Sequence, residues 1–362
     1  MVGHMRECAG KADGKPQGPM HANILRVPET EAFESWLETI LKGVQPPLWL
    51  VGDAPWREVV LSSRVRLMRN LDGYAFPHRS TPLELEEVRR IITRSTPLEQ
   101  RTGASDAERA MLVGSRLVAP HFEWGAPGRA VMLNRERSVA VMVNEEDHLR
   151  IQAVTPGLST LYADQLAADT ESNLGKELRF ARSELGYLAA SPSNVGEGRR
   201  VGIMAHLAGL TCTGGIGEFV GRVEQEGFEV RGPLGEGSPG WGGLVQISST
   251  RRSARELYEA ARCWIDQELQ SRRRLDRSFV KYRVSDVSTT INESDSLTAH
   301  QAVRLLGWLR LGALTRAIDL DVRTIDALAS VVWLGDDHSA WCSRRARVLK
   351  QFDRFSSAWT RR

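Results

Sequence analysis

The chain has 362 residues, 41% of them hydrophobic and 26% charged, with a formal net charge of +3. So small a positive excess leaves no electrostatic footprint for nucleic acid, and no uninterrupted apolar run is long enough to span a bilayer. Four cysteines, Cys8, Cys212, Cys263 and Cys342, stand far apart with no CxxC pair, which disfavours a zinc site or a disulfide framework and fits a reducing cytoplasm.

In chain order, residues 1–28 read as a disordered tail rich in Gly, Lys and polar residues, with Met20 as an alternative start and no apolar core of a secretory signal. Phe33, Trp36, Leu37, Ile40 and Leu41 recur at helical spacing and predict a short amphipathic helix that Gly43 stops, with Pro46 and Pro47 as a linker. Short β-prone runs follow: Glu58–Leu61, Val139–Val143, Phe228–Arg231 and Leu244–Ser248, interspersed with Gly- and Pro-rich loops and a helix over Leu83–Ile92. Strands and helices do not alternate regularly, so the prediction is an α+β domain on an antiparallel sheet flanked by helices. Past Arg251 the pattern turns helical. Leu257, Ala261, Trp264, Ile265 and Leu269 form one stripe; Ala302, Leu305, Leu306, Leu309 and Leu311 form a second, with Thr298 as N-cap. Ile325, Leu328, Val331 and Val332 form a third, so a separate all-helical C-terminal domain is expected over 251–362. The basic cluster Ser271–Arg277 reads as a solvated helix face.

Four segments carry charge that a simple fold would not need. In Leu61–Asn70 (LSSRVRLMRN), a strand would put Arg64 and Arg66 on one face, although an exposed strand edge would look the same. Val143–Arg150 (VNEEDHLR) sets three acids after an apolar strand; it resembles a solvated turn and makes an unconvincing metal site, because His148 has no partner at ligand spacing. Ser191–Arg200 (SPSNVGEGRR) is a Gly-rich loop expected to lead into a helix; its backbone N–H groups could cradle phosphate, but it lacks the Gly-Lys-Ser/Thr of a Walker A loop. Val230–Ser238 (VRGPLGEGS) is a strand followed by a glycine loop. Each alone is a weak signal.

Taken in order and separation, these four strings resemble the phosphagen kinase superfamily of ATP:guanido phosphotransferases, and the NEEDHLRIQ string carries most of the specificity. The resemblance implies a guanido kinase catalytic domain over 29–250, ATP as phosphoryl donor and Mg²⁺ carried by it. By matching motif positions it implies Arg64, Arg66, Arg150, Arg200 and Arg231, with Ser62, as nucleotide-binding residues. It likewise implies Glu146 and Glu236 as the pair that clamps the attacking guanidinium, either being the base, with Glu145, Ser191 and Asn194 beside them. The chemistry is coherent: phosphoryl transfer needs positioning and charge stabilisation, forked guanidiniums suit phosphate oxygens, and a protonated guanidinium must lose a proton to attack.

A short stretch before the SSRVR string and a long helical one after it is similar to the bacterial protein-arginine kinases. That likeness implies arginine side chains of proteins as substrates, Clp protease and chaperone machinery as partners, and a homodimer through the helical domain. A kinase of free arginine or another small guanidino compound, and a weakly active or inactive adaptor, are the alternative readings. Two departures bear on them. Ser191 and Glu197 stand where the family pattern has cysteine and threonine; Glu197 would set a carboxylate near phosphate unless Arg199 neutralises it, so lowered or altered activity is expected. Trp341 and Cys342 stand where related kinases have Arg-Asp in a phosphoarginine-reading motif, so the segment Trp341–Ala346 reads as a basic helix face.

Overall fold

A computed structural model describes residues 47–104, 106–233, 242–332 and 337–350. The expected tail, the helix over Phe33–Leu41 and Glu236 lie outside them. Among the described residues, ten strands occur: β1 Val60–Arg69, β2 Glu99–Arg101, β3 Ala130–Leu133, β4 Val139–Val143, β5 Leu149–Pro156, β6 Arg182–Ser183, β7 Gly186–Tyr187, β8 Arg199–His206, β9 Glu229–Arg231 and β10 Leu244–Ser249. Eight build one sheet in the order β2-β3-β4-β5-β1-β8-β10-β9, and β6 with β7 forms a separate hairpin. Every pairing in the large sheet is antiparallel, as the mixed spacing of strands and helices predicts.

The central strands are apolar on one face, and their other face carries arginines at one end and apolar residues at the other, because the two sides of a pleated strand meet different partners. Val65, Leu67, Ile151, Ala153, Val201, Ile203, Val245 and Ile247 share a core with Ala163 and Ala167 of the helix Thr160–Leu174 and with Leu257, Ala261 and Trp264 of the helix Ala254–Arg273. On the opposite side Val154, Met204 and Leu244 join a second core with Val280, Val284, Val303 and Leu306 of the C-terminal helices. The helix ends follow their sequence signals: capping boxes Thr81–Glu84, Ser253–Glu256 and Thr298–Gln301 start three helices, the last at the expected Thr298.

Three local readings change. The Gly-rich loop leads into strand β8 and not into a helix: Val201–Ala205 is a buried central strand, whose short apolar run carries no period to separate it from a helix. Arg272 of the basic cluster is buried, its Nε donating to Glu268 Oε1 at 2.6 Å and its Nη2 to the His206 carbonyl at 2.8 Å. In the helix Ser339–Lys350, Arg344 and Arg345 are also buried, and Arg345 donates to the Val332 carbonyl and to Asp337, each at 2.8 Å. They brace the helical region from inside.

Candidate active site

The register of the sheet gathers the arginines. Arg66 of β1 is directly opposite Arg200 of β8 and opposite Gln152 of β5, while Arg150 faces Met68 two residues along. Arg231 of β9 faces Gln246 of β10, and Gln246 faces Met204 of β8, so the alternation of the pleat turns Arg64, Arg66, Arg150, Arg200 and Arg231 to one side. Like charges placed opposite each other oppose pairing. Burial, then the charges of Arg116, Arg150 and Arg200, pushes the Arg64 guanidinium down to about 9; burial and its arginine neighbours push Arg66 well below its ordinary value. Guanidiniums nevertheless stay protonated near neutral pH, so the direction records unrelieved repulsion in a desolvated place. Among the described residues neither Arg64 nor Arg66 has a carboxylate partner.

Arg64, Arg66, Arg116, Arg150 and Arg231 line a cleft of about 170 Å³, together with His121. Arg116 escaped the sequence reading, and no motif marks it. It sits in the left-handed region at φ 62°, its carbonyl receives the Gln152 side-chain amide, and burial lowers it to about 10. Ser62 is buried on the same face and lines a small adjoining space with Arg64, Arg116 and Gln246.

The acidic turn between β4 and β5 is a knot that aims two carboxylates. Asn144, in the left-handed region at φ 52°, donates to the carbonyls of Leu85 and Gly128, each at 2.8 Å. Asp147 accepts from Asn70 Nδ2 at 2.6 Å and from the Ala190 N–H at 2.7 Å. His148 Nδ1 accepts from the Leu71 N–H at 3.0 Å, and burial brings this imidazole down to about 4, so it is neutral and structural. Gly128 has φ +69°, and a Cβ there would fall 2.4 Å from the Leu85 backbone, so only glycine lets that loop close on the turn.

With its neighbours tied, Glu145 Oε1 meets His121 Nε2 at 2.7 Å and its Oε2 meets Arg150 Nη1 at 3.2 Å. Burial alone would raise this carboxyl, but His121 and Arg150 outweigh it and hold it at about 2. Glu146 is exposed, and it is raised above the ordinary carboxylate value by partial burial and then by the charges of Asp147 and Glu145. The two glutamates lie on a cavity of about 370 Å³ whose other walls are Pro77, His78, Leu85, Arg129, Asn144 and Ala190.

Ala190 leads directly into Ser191 and Asn194, which bracket a short 3-10 turn, Asn194 N donating to the Ser191 carbonyl at 3.0 Å. Glu197 does not load the site with negative charge. Its carboxylate meets Arg199 Nη2 at 2.7 Å, and Arg199, one residue from Arg200 on β8, points to the opposite face and also reaches Asp164 at 3.3 Å. The structure thus gathers Arg64, Arg66, Arg150 and Arg231 on the cleft, sets Arg200 beside Arg66, and links Glu145 to the cleft through Arg150.

A family model for the ATP:guanido phosphotransferase C-terminal catalytic domain matches residues 89–260. The protein-arginine kinase of Halothermothrix orenii is 33% identical over 283 residues, covering 73% of this chain and 81% of that protein. That of Symbiobacterium thermophilum is 34% identical over 304 residues, covering 77% and 86%. Among solved structures, the duplicated taurocyamine kinase of Schistosoma mansoni with bound transition-state-analogue components superposes with a TM-score of 0.53 at 21% identity, over 74% of this chain and 40% of that one. A lombricine kinase gives 0.50 at 23% identity over 66% and 78%, a likeness of fold.

Proposed function

The chain belongs to the protein-arginine kinases of the ATP:guanido phosphotransferase family, and from that premise we propose that it transfers the γ-phosphoryl group of ATP to the guanidinium of arginine side chains in proteins. One observation carries the reading. Arg64 and Arg66 stand half-buried together on the cleft with no carboxylate partner among the described residues, an arrangement that makes sense for a polyanion and is unfavourable without one.

The cleft fits a triphosphate, since its charged walls are forked guanidiniums, which suit phosphate oxygens in bidentate geometry. Arg64, Arg66, Arg150, Arg200 and Arg231, with Ser62 and Arg116, hold the nucleotide. Mg²⁺ is carried on the phosphates, where it supplies further neutralisation of the charge on the γ-phosphoryl group. The cavity beside the cleft takes the acceptor guanidinium. Glu145, locked by Arg150 and His121, is a fixed negative charge there, and Ser191 and Asn194 lie on the adjoining loop. Glu146 accepts the proton as the guanidino nitrogen bonds to phosphorus and the bond to the departing ADP oxygen breaks, a role its raised affinity for a proton favours. Glu236, the second carboxylate of the proposed clamp, lies outside the described residues.

A polypeptide acceptor is favoured over free arginine by the named relatives. No helix among the described residues is long and apolar enough to cross a membrane. A cytoplasmic setting, partnership with Clp protease and chaperone machinery, and dimerisation through a helical domain from residue 251 complete the proposal. The experiment is incubation with γ-labelled ATP and Mg²⁺, one sample holding an unfolded arginine-rich polypeptide and another free arginine. Label on the polypeptide that is lost in mild acid is expected. Label on free arginine alone would move the protein to a small-molecule kinase.

A further inference from the structure

Glu229 was not singled out by any motif, yet it holds two of the nucleotide-site arginines at once. Its Oε2 accepts from Arg200 Nη1 at 3.0 Å and from Arg231 Nη2 at 2.6 Å, while its Oε1 lies 3.4 Å from Arg200 Nη2. The Arg200 fork is therefore engaged through both terminal nitrogens, the edge a phosphate would take. The placement follows from the sheet: Glu229 and Arg231 are two apart on β9 and face the same way, and Glu229 is opposite Ser248, whose hydroxyl also receives Arg200 Nη1 at 3.3 Å. Glu229 and Arg231 are 43% and 44% exposed, whereas Arg200 is 13% exposed, so the carboxylate is the solvent-side member and free to turn outward.

We propose that Glu229 is an internal counterion of the nucleotide site, occupying Arg200 and Arg231 until phosphate displaces it and thereby setting the affinity for nucleotide. The inference rests on the proposed nucleotide role of those arginines. Two effects point the same way. In the free protein the carboxylate relieves repulsion within the arginine cluster, which stabilises the empty site. In the bound protein the same charge is next to a polyphosphate, which destabilises the complex. Neutralising it removes the first benefit and the second penalty, so anion affinity rises on both counts. Glu229 acts through Arg200 and Arg231 and is a positioning residue, with no place in the bond-making step.

The test compares wild type, Glu229→Gln and Glu229→Asp by calorimetric titration with MgADP and, separately, with inorganic pyrophosphate, alongside a thermal melt of each free protein. The partly exposed ion pairs set the scale at about three- to tenfold. Glu229→Gln should bind both ligands more tightly by that factor, its melting temperature should not rise, and Glu229→Asp should stay near wild type. Unchanged or weaker binding by a folded Glu229→Gln protein overturns the inference. Wild type that binds neither ligand overturns the nucleotide-site reading itself, a distinct failure visible in the first titration.

Discussion

Placing Arg66 directly opposite Arg200 sets two like charges against each other in the middle of a sheet, an arrangement that opposes pairing and that the proposed nucleotide role would explain. The acidic turn works by contrast: one carboxylate is held low by His121 and Arg150, its neighbour is held high by burial and like charge. Pairs pushed apart in this way separate a fixed charge from a proton acceptor. In its proposed role Glu146 must be ionised to accept a proton, so activity should be present above its pKa and lost as pH falls through it. The acidic limb of kcat/KM should therefore be displaced upward from the ordinary glutamate value. Glu146→Gln should abolish that limb and lower kcat about 100-fold or more, the scale of a lost general base; an unchanged limb would remove Glu146 from this role. Most of these residues were legible in the strings SSRVR and NEEDHLR. Glu229, Arg116 and His121 were not, because each acquires meaning only when register or a chain reversal brings it to partners distant in sequence, and no local spacing records that.

At the scale of elements, the acidic string is mostly architecture. Asn144, Asp147 and His148 tie the turn to Leu85, Gly128, Ala190 and Leu71, and the two glutamates between them are the carboxylates that line the cavity. A pH dependence of stability follows. His148 is at about 4 when folded and near 6.5 when exposed, so its contribution is complete above pH 6.5 and is lost as pH falls toward 4. That window is worth about 3 kcal/mol from this group. In denaturant titrations His148→Asn should lose less stability than wild type between pH 6.5 and 4; equal slopes would show that the imidazole is not the acid-sensitive group. Strands β4, β9 and β10 and three helices announced themselves through period and caps. Strand β8 did not, because a buried central strand loses the polar alternation that separates it from a helix.

For the whole molecule, the sheet and the C-terminal helices are joined by a buried polar cluster at the end of β8. Arg310 donates to Asp326 at 2.7 Å, to the Glu58 carbonyl at 2.9 Å, to the Arg57 carbonyl at 3.0 Å and to His206 Nδ1 at 3.1 Å. Arg272 donates to the same Glu58 carbonyl at 3.0 Å, and its partner Glu268 accepts from the N–H groups of Gly209 and Leu210. Burial, then the charges of Arg310 and Arg272, holds His206 well below its ordinary value, so it is neutral and accepts at Nδ1. Removing one member strands the others: Arg310→Met should cost about 3–5 kcal/mol of unfolding free energy, and a loss below about 1 kcal/mol would show the cluster to be dispensable. None of this was visible in the amphipathic stripes, which mark which face is buried but not which arginine crosses to another element.

The most direct measurement locates the phosphorus atom. Wild type and Glu146→Gln are incubated with MgATP and an unfolded arginine-rich polypeptide, and the product is mapped by mass spectrometry under conditions that preserve a P–N bond. The account predicts phosphate on arginine side chains with wild type and about 100-fold less with the variant. Phosphate confined to serine, threonine or tyrosine, or an undiminished yield from Glu146→Gln, would contradict it.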